Sequence, residues 1–396
     1  MMDTDILVAG GGIAGMTAAA GFAQAGFRTI CVDPGPPPAA DAAAEGADLR
    51  TTAFLQSARD FLDEIGLWPR LDAHATPLQV MRIVESGAEE RVAREFDAED
   101  ISDRPFGWNL PNWLMKRELA ARLDGLADVT FLQGVGVARV LTRETEARVG
   151  LSDGRSVRCR LVVAADGRDS PVRQAAGIEV STTRFGQKAL AFAVTHPIPH
   201  ENVSTEIHRS GGPFTLVPLP DRDGRPCSAI VWMEHGPEAE RLAALPVEAF
   251  EAEMTERSGA LFGPLKLVSR RSVWPIIAQQ ARRLSGTRVA LVAEAAHVVP
   301  PIGAQGLNMS LRDIATLRDL AIARPEGLGD RAMLDAYHRA RITDIRVRVA
   351  GITALNRISQ VSAAPLREIR ARGLDSLYSL KPVRTGLMKL GLGAGG

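Results

Sequence analysis

The chain has 396 residues, 45% hydrophobic and 24% charged, which is enough apolar mass for a sizeable core in two or three domains or two interleaved ones. Its 47 Lys and Arg balance 47 Asp and Glu, so no overall field points to nucleic acid. Three widely spaced cysteines, Cys31, Cys159 and Cys227, form neither a metal set nor a redox pair, which suits a reducing compartment, and Cys31 and Cys159 lie in strand-like stretches as small core residues.

Ile6 to Phe27 carries no charged side chain and could pass for a signal or membrane helix. Gly10, Gly11, Gly12, Gly15, Gly21 and Gly26 interrupt it, and Asp3 and Asp5 stand where a signal peptide wants positive charge. The stretch reads instead as a βαβ unit. Ile6-Leu7-Val8-Ala9 is a buried strand, Gly10-x-Gly12-x-x-Gly15 follows at once, and an Ala-rich helix runs to about Ala25, where Gly26 ends it. Thr29-Ile30-Cys31-Val32 is the next strand, and it finishes at Asp33, about twenty positions past the glycines, as dinucleotide binding requires. Gly10 permits the tight turn, Gly12 lets backbone approach a pyrophosphate, and Gly15 lets helix and strand pack closely. Ile13 and Ala14 open a helix whose free N–H groups favour phosphate, and Asp33 can accept ribose hydroxyls. The same glycine spacing at Gly391, Gly393 and Gly396 has no strand before it and no chain after it, so it is spurious.

PGPPPAADAAAEG, residues 34–46, is an exposed linker. It delivers the chain to Arg50, and a helix is expected from about Ala53 to Ile65. Residues 77–105 alternate in places and read as strands; Leu119 and Leu123 mark a further helix. VRCRLVVAA, residues 157–165, is a buried strand ended by Asp166-Gly167. Residues 187–235 hold the β-like runs LAFAV, PFTLVPLP and SAIVWM. Val289 to Ala293 is a short parallel-type strand, and two or three helices follow it. The fold class is therefore α/β: a Rossmann-like nucleotide-binding domain interrupted by a β-sheet-rich substrate domain, with C-terminal helices. Residues 1–75, 106–180 and 276–330 are assigned to the first domain, 76–105 and 181–275 to the second. Residues 331–396 form a C-terminal helical region with twelve Lys/Arg against four Asp/Glu, a solvated face or a contact with an anionic membrane surface or a partner.

Three ordered stretches carry a family resemblance. GGGIAG with Asp33, AADGRDSPVR at 164–173 and AEAAHVVPPIGAQGLN at 293–308 resemble the three flavin motifs of the class A FAD-dependent aromatic hydroxylases, of the p-hydroxybenzoate hydroxylase type. Leu216 to Leu219, Ala229 to Trp232, the PPIGAQGLN loop and AYHRARITDIRVRVAGITALNRI resemble the ubiquinone-biosynthesis hydroxylases among them. The resemblance implies an FAD site. Arg50 reaches the pyrophosphate, Asn112 contacts FAD, and Asp166 and Gly167 serve FAD and the nicotinamide together, with Ser170 and Arg173 continuing the motif. Where relatives have Gly-Asp, this chain has Ala293-Glu294; Glu294 keeps the ribityl-binding carboxylate on a longer arm, and Ala293 adds a methyl where backbone packs closely. Pro300 and Pro301 set a rigid backbone beside the flavin ring, Gly303 permits close approach, and Gly306, Leu307 and Asn308 open a helix toward its N1/C2 edge. Pro301 and Gly303 are the flavin-edge backbone; no side-chain base is identified, no metal is implied, and His297 reads as structural.

By the same resemblance, NADH or NADPH reduces FAD, dioxygen forms a flavin C4a-hydroperoxide, and its distal oxygen goes to an electron-rich phenol. Tyr337 and Tyr378 are the only tyrosines, both C-terminal, so a tyrosine pair on the sheet is unavailable. An apolar sheet pocket beside basic helices suits a prenylated phenol lipid; a pocket lined mainly by charged groups speaks against it. The alternatives are hydroxylation of a small soluble aromatic, a geranylgeranyl-reductase-like reaction, and a non-catalytic scaffold of a hydroxylase complex. The expected location is cytoplasmic, at most peripheral to the inner face of the membrane.

Overall fold

The computed structural model describes residues 1–86, 91–209 and 211–360, together with residues 385, 386 and 388. Tyr378, the spurious glycine match and most of the basic stretch beyond 360 lie outside the described residues.

The first layer is a six-stranded sheet. Its strands run in the order Ser285–Gly286, Val289–Leu291, Leu161–Ala164, Ile6–Ala9, Thr29–Asp33 and Val129–Gln133, all parallel except the first. Ile6–Ala9 and Leu161–Ala164 are buried along their whole length, which is why both read as continuous apolar runs. The helix Ile13–Gln24 crosses this sheet and packs against the helices Asn112–Asp124 and Gln305–Ala323. Ala18, Ala19 and Ala20 are fully buried there, so small side chains are what the three-way packing admits.

A nine-stranded sheet forms the second layer. Its central order is Ser272–Ala281, Val180–Thr195, Arg225–His235, Pro213–Arg222, Val203–His208 and Val80–Ser86, with His297–Val298 and Arg91–Asp97 at the edges. Side chains alternate across it. Phe192, Phe214, Ile230 and Trp232 face a separate core with Phe250 and Met254 of the helix Val247–Arg257. Thr215, Val217 and Val231 face the other way, toward the first layer. A three-stranded sheet, Thr51–Leu55, Gly107–Pro111 and Thr76–Leu78, lies beside the junction. A four-stranded sheet of Met2–Asp3, Ser156–Cys159, Ala147–Leu151 and Val137–Thr142 flanks the first layer.

One expectation needs correction. The helix expected from Ala53 begins at Gln56; Thr51–Leu55 is a strand. Its β-branched threonines suit extended backbone, Gly107–Pro111 pairs with it, and the Asn308 side chain bonds Leu55 N–H and the Ala53 carbonyl. The two long C-terminal helices among the described residues are Gln305–Ala323 and Arg331–Ser359. No helix among the described residues is long and apolar enough to cross a membrane.

Candidate active site

Between the two layers lies a cleft of about 500 Å³. It is walled by Gly12, Ile13 and Ala14 of the first glycine motif, by Arg50 and Asn112, by Gly167, by Glu294, and by Pro301, Gly303, Gly306 and Leu307. Sequence stretches almost 300 residues apart therefore meet on one surface.

The glycines of the first motif divide into two kinds. A Cβ on Gly15 would stand 1.8 Å from the Gly10 carbonyl oxygen, and one on Gly10 would stand 2.3 Å from that of Ala165. Those two are glycine because the protein itself fills the space. A Cβ on Gly12 would meet nothing within 4 Å, and Gly12 borders the cleft. The helix that follows has no side-chain cap and no acidic residue in its first turn, so its N–H groups face the cleft with their positive dipole end uncompensated. Asp33 sits off the cleft lining; its Oδ2 accepts from Gly11 N–H at 2.5 Å and its Oδ1 from Gly35 N–H at 2.7 Å.

Beside this helix start, Arg50 donates through Nε (2.8 Å) and Nη2 (2.7 Å) to the two oxygens of Asp48. Its guanidinium carbon lies 5.6 Å from the Trp274 ring centroid. Asn112, buried at the start of its helix, accepts from the Thr52 hydroxyl at 2.8 Å and donates to Asp48 at 3.2 Å. Burial opposes ionisation of Asp48, but the bonds from Arg50 and Asn112 outweigh it and hold its pKa below the ordinary carboxylate value. Sequence reasoning found Arg50 and Asn112 and missed Asp48, although it stands two residues before Arg50.

The second motif works mostly behind the surface. Asp166 does not line the cleft; its oxygens accept from the Ser170 hydroxyl (2.5 Å) and from Val172 N–H (3.0 Å), fixing the start of the short helix Pro171–Ala175. Burial raises the Asp166 pKa. Arg173, also buried, donates to the Ala295 carbonyl at 3.0 Å and the Arg168 carbonyl at 2.8 Å, tying this motif to the third. Arg168 Nε lies 3.4 Å from the exposed Glu294 carboxylate, so the longer arm of Glu294 meets a cation.

The third motif is braced at both ends. His297 Nε2 lies 2.6 Å from Asp313 Oδ2, with both side chains wholly buried, and Arg341 donates to Asp313 Oδ1 at 2.8 Å. Arg341 continues to Asp344, Asp344 to Arg348, Arg348 to Gln305, and Gln305 to the Gly303 carbonyl. The chain of bonds thus begins and ends on the same loop, and His297 is held by Asp313 at its start. Ala293 and Ala304, which bracket the loop, both have φ of 55°, in the left-handed region. Gln305–Ala323 starts one residue earlier than expected, with no side-chain cap and no acidic residue in its first turn. Asn308 lies off the cleft lining and spends its amide on Leu55, Ala53 and Ala304.

On the far wall the nine-stranded sheet contributes Met81, Val217, Val231, Trp274 and Ile276, joined by Leu78 and Phe106. Sequence reasoning missed its polar points. Asn109 is fully buried, donates to the Pro218 carbonyl at 2.9 Å, and leaves Oδ1 with no partner among the described residues. Glu206 is the carboxylate of this wall. The three cysteines are buried; burial pushes the Cys159 thiol to about 12 and that of Cys227 to about 11, so neither is a nucleophile at neutral pH.

The sequence profile of the FAD binding domain matches residues 3–348, and the chain belongs to that family. It is an FAD-dependent monooxygenase. A ubiquinone hydroxylase of Rhodospirillum rubrum, UbiL, is 33% identical over 98% of this chain and 89% of its own length. The 3-demethoxyubiquinol 3-hydroxylase of Escherichia coli is 25% identical over 98% of each chain. Among solved structures, p-nitrophenol 4-monooxygenase PnpA of Pseudomonas putida superposes with a TM-score of 0.80 at 19% identity, covering 98% of this chain and 97% of its own, which establishes the shared fold. The cleft fits FAD: bare backbone at Gly12, two uncapped helix starts without acidic side chains, and a loop braced from behind are what a long anionic cofactor needs.

Proposed function

We propose that this enzyme hydroxylates the aromatic ring of a prenylated phenol in ubiquinone biosynthesis, with NADH or NADPH as transient electron donor. The observation that carries this reading is the far wall. The cleft that Pro301 and Gly303 border is also lined by Met81, Val217 and Val231 of the nine-stranded sheet and by Leu78 and Phe106, which suits an apolar chain attached to a ring bearing one or two hydroxyls. The 33% identity to a ubiquinone hydroxylase supports it.

The family's cofactor, when bound, supplies the activation of dioxygen. In this reading Gly12, Ile13 and Ala14 receive the pyrophosphate on the helix start, and Asp33 receives the adenosine ribose through its remaining lone pairs. Arg50 and Asn112, held by Asp48, flank the phosphates. Gly167 and Glu294 border the ribityl chain, with Asp166 fixing the turn that presents Gly167. Pro301, Gly303, Gly306 and Leu307 lie along the ring, and Asn308 holds that helix start to the strand Thr51–Leu55. Residues 1–75, 106–180 and 276–330 serve the cofactor, and 76–105 and 181–275 the substrate.

Mass spectrometry of lipids from a strain lacking the gene tests the reading. Quinone is expected to fall while a prenylated phenol short of one ring oxygen accumulates; an unchanged quinone profile refutes it. The helix Arg331–Ser359 also exposes Val347, Leu355 and Ile358 beside Arg346 and Arg357, a stripe fit for the headgroup region of an anionic bilayer. Sedimentation with phosphatidylglycerol vesicles is expected to carry the protein down and to fail after Val347→Asp; no binding by the native chain rejects peripheral attachment.

A further inference from the structure

Transfer of an electrophilic oxygen to a neutral phenol makes the ring a protonated dienone, whose O–H is a strong acid. Some group must take that proton. Tyr337 is fully buried and gives its hydroxyl to the Leu291 carbonyl, so it cannot serve.

The strand Val203–His208 sends Ser204, Glu206 and His208 to one face, and Ser204 and Glu206 line the cleft. The Glu206 side chain is only 7% exposed, and its Oε1 lies 2.7 Å from His208 Nε2. His208 Nδ1 has no partner among the described residues. Glu206 stands opposite Thr215, and Thr215 opposite Val231, so the carboxylate lies at one end of a row that crosses the cleft wall. It is the sole carboxylate that the nine-stranded sheet contributes to that wall among the described residues. A carboxylate set into an apolar wall is disfavoured unless it is paired or used. His208 answers the first need and holds the group in one orientation; the opening onto the cleft answers the second.

We propose that Glu206 is a catalytic residue that accepts the phenolic proton as the ring carbon gains its oxygen, with His208 as its positioning residue. The substrate O–H bond breaks, a carboxyl O–H forms on Glu206, and the electron pair left behind neutralises the dienone. The dienone then re-aromatises by moving its ring hydrogen to oxygen. Dioxygen takes a hydride from NAD(P)H and one proton from solvent; one oxygen passes to the ring carbon as a hydroxyl, and the other leaves as water with the proton from Glu206. The inference rests on the phenol-hydroxylase reading.

The test uses the purified holoenzyme with a short-chain prenylated phenol and with its fluorinated counterpart, acidic enough to be ionised in the assay. Glu206→Gln is expected to lower hydroxylation of the ordinary phenol by about 100-fold or more. Bound flavin and its reduction by NAD(P)H stay unchanged. On the ionised phenol, which needs no base, the deficit shrinks to under about tenfold. Glu206→Asp, which keeps the carboxylate, recovers part of the rate. Equal losses on both phenols, a Glu206→Gln rate within about threefold of native, or no recovery in Glu206→Asp each overturn the assignment. If the native enzyme takes simple phenols but no prenylated one and the variant pattern holds, the lipid reading fails and Glu206 stands. If it hydroxylates no phenol, both fall.

Discussion

The first glycine motif and the wall of the nine-stranded sheet border the same cleft, yet they write themselves into the sequence in opposite ways. In the reading proposed here, the motif would hold its ligand with backbone. Backbone approach restricts the residue at each position, because Gly10 and Gly15 have no room for a Cβ and Gly12 faces open space. A short run of chain therefore carries the whole pattern at fixed spacing. The sheet wall is made of single side chains from five or more strands, one residue in two, and any apolar residue of fitting size serves. Cofactor sites built from backbone are local in sequence; substrate sites built from side chains are not.

Two alanine substitutions break this comparison most severely. Gly15→Ala drives a methyl into the Gly10 carbonyl and is expected to cost about 3 kcal/mol or more, along with retained flavin. Gly12→Ala meets no protein atom, so thermal unfolding of the apoprotein should stay near native while flavin affinity falls at least about tenfold. Differential scanning calorimetry with flavin absorbance separates the two effects. A Gly12→Ala protein that retains flavin normally would mean that bare backbone at this position is not what the cofactor reads.

The same contrast explains what was legible. The βαβ unit and the 300–306 loop were legible because backbone conformations and helix starts leave local marks; Arg50 and Asn112 were named only through the family resemblance. Asp166 and Asn308 were named through the same resemblance, which did not show the bonds their side chains make to protein; only register across some 250 residues puts Asn308 against Leu55. The four-stranded sheet went unread because Val137–Thr142 is half exposed and carries little alternation. Glu206 was invisible because nothing in VSTEIH says which face of its strand meets a cleft, and the pairing that decides this comes from strands at 80–86 and 213–222.

A middle case sharpens the rule, because the third motif is backbone toward the cleft and side chain behind it. Asp313 bonds His297 and Arg341, both buried, and neutralises charge that burial would otherwise penalise. Asp313→Asn is expected to destabilise the protein by about 3 kcal/mol and to loosen flavin as well, since the same chain of bonds ends at Gly303. Urea unfolding with and without flavin measures both. A loss of stability with native flavin affinity would cut the link between the brace and the loop.

The smallest effect runs in the opposite direction. Ala293 holds a φ of 55°, where an L-residue with a Cβ is strained and glycine is not. The chain tolerates this because Val292 bonds the Ala164 carbonyl and Arg173 bonds that of Ala295, fixing the backbone on both sides of the strained residue. Ala293→Gly removes the strain at the expense of a more flexible unfolded chain, and the two terms partly cancel. The net expectation is a gain of about 1 kcal/mol, read as a raised midpoint in urea with an unchanged slope. A lowered midpoint would mean that the buried methyl contributes more to packing than its backbone costs. The third motif would then be fixed by its side chains even where it most resembles a glycine turn.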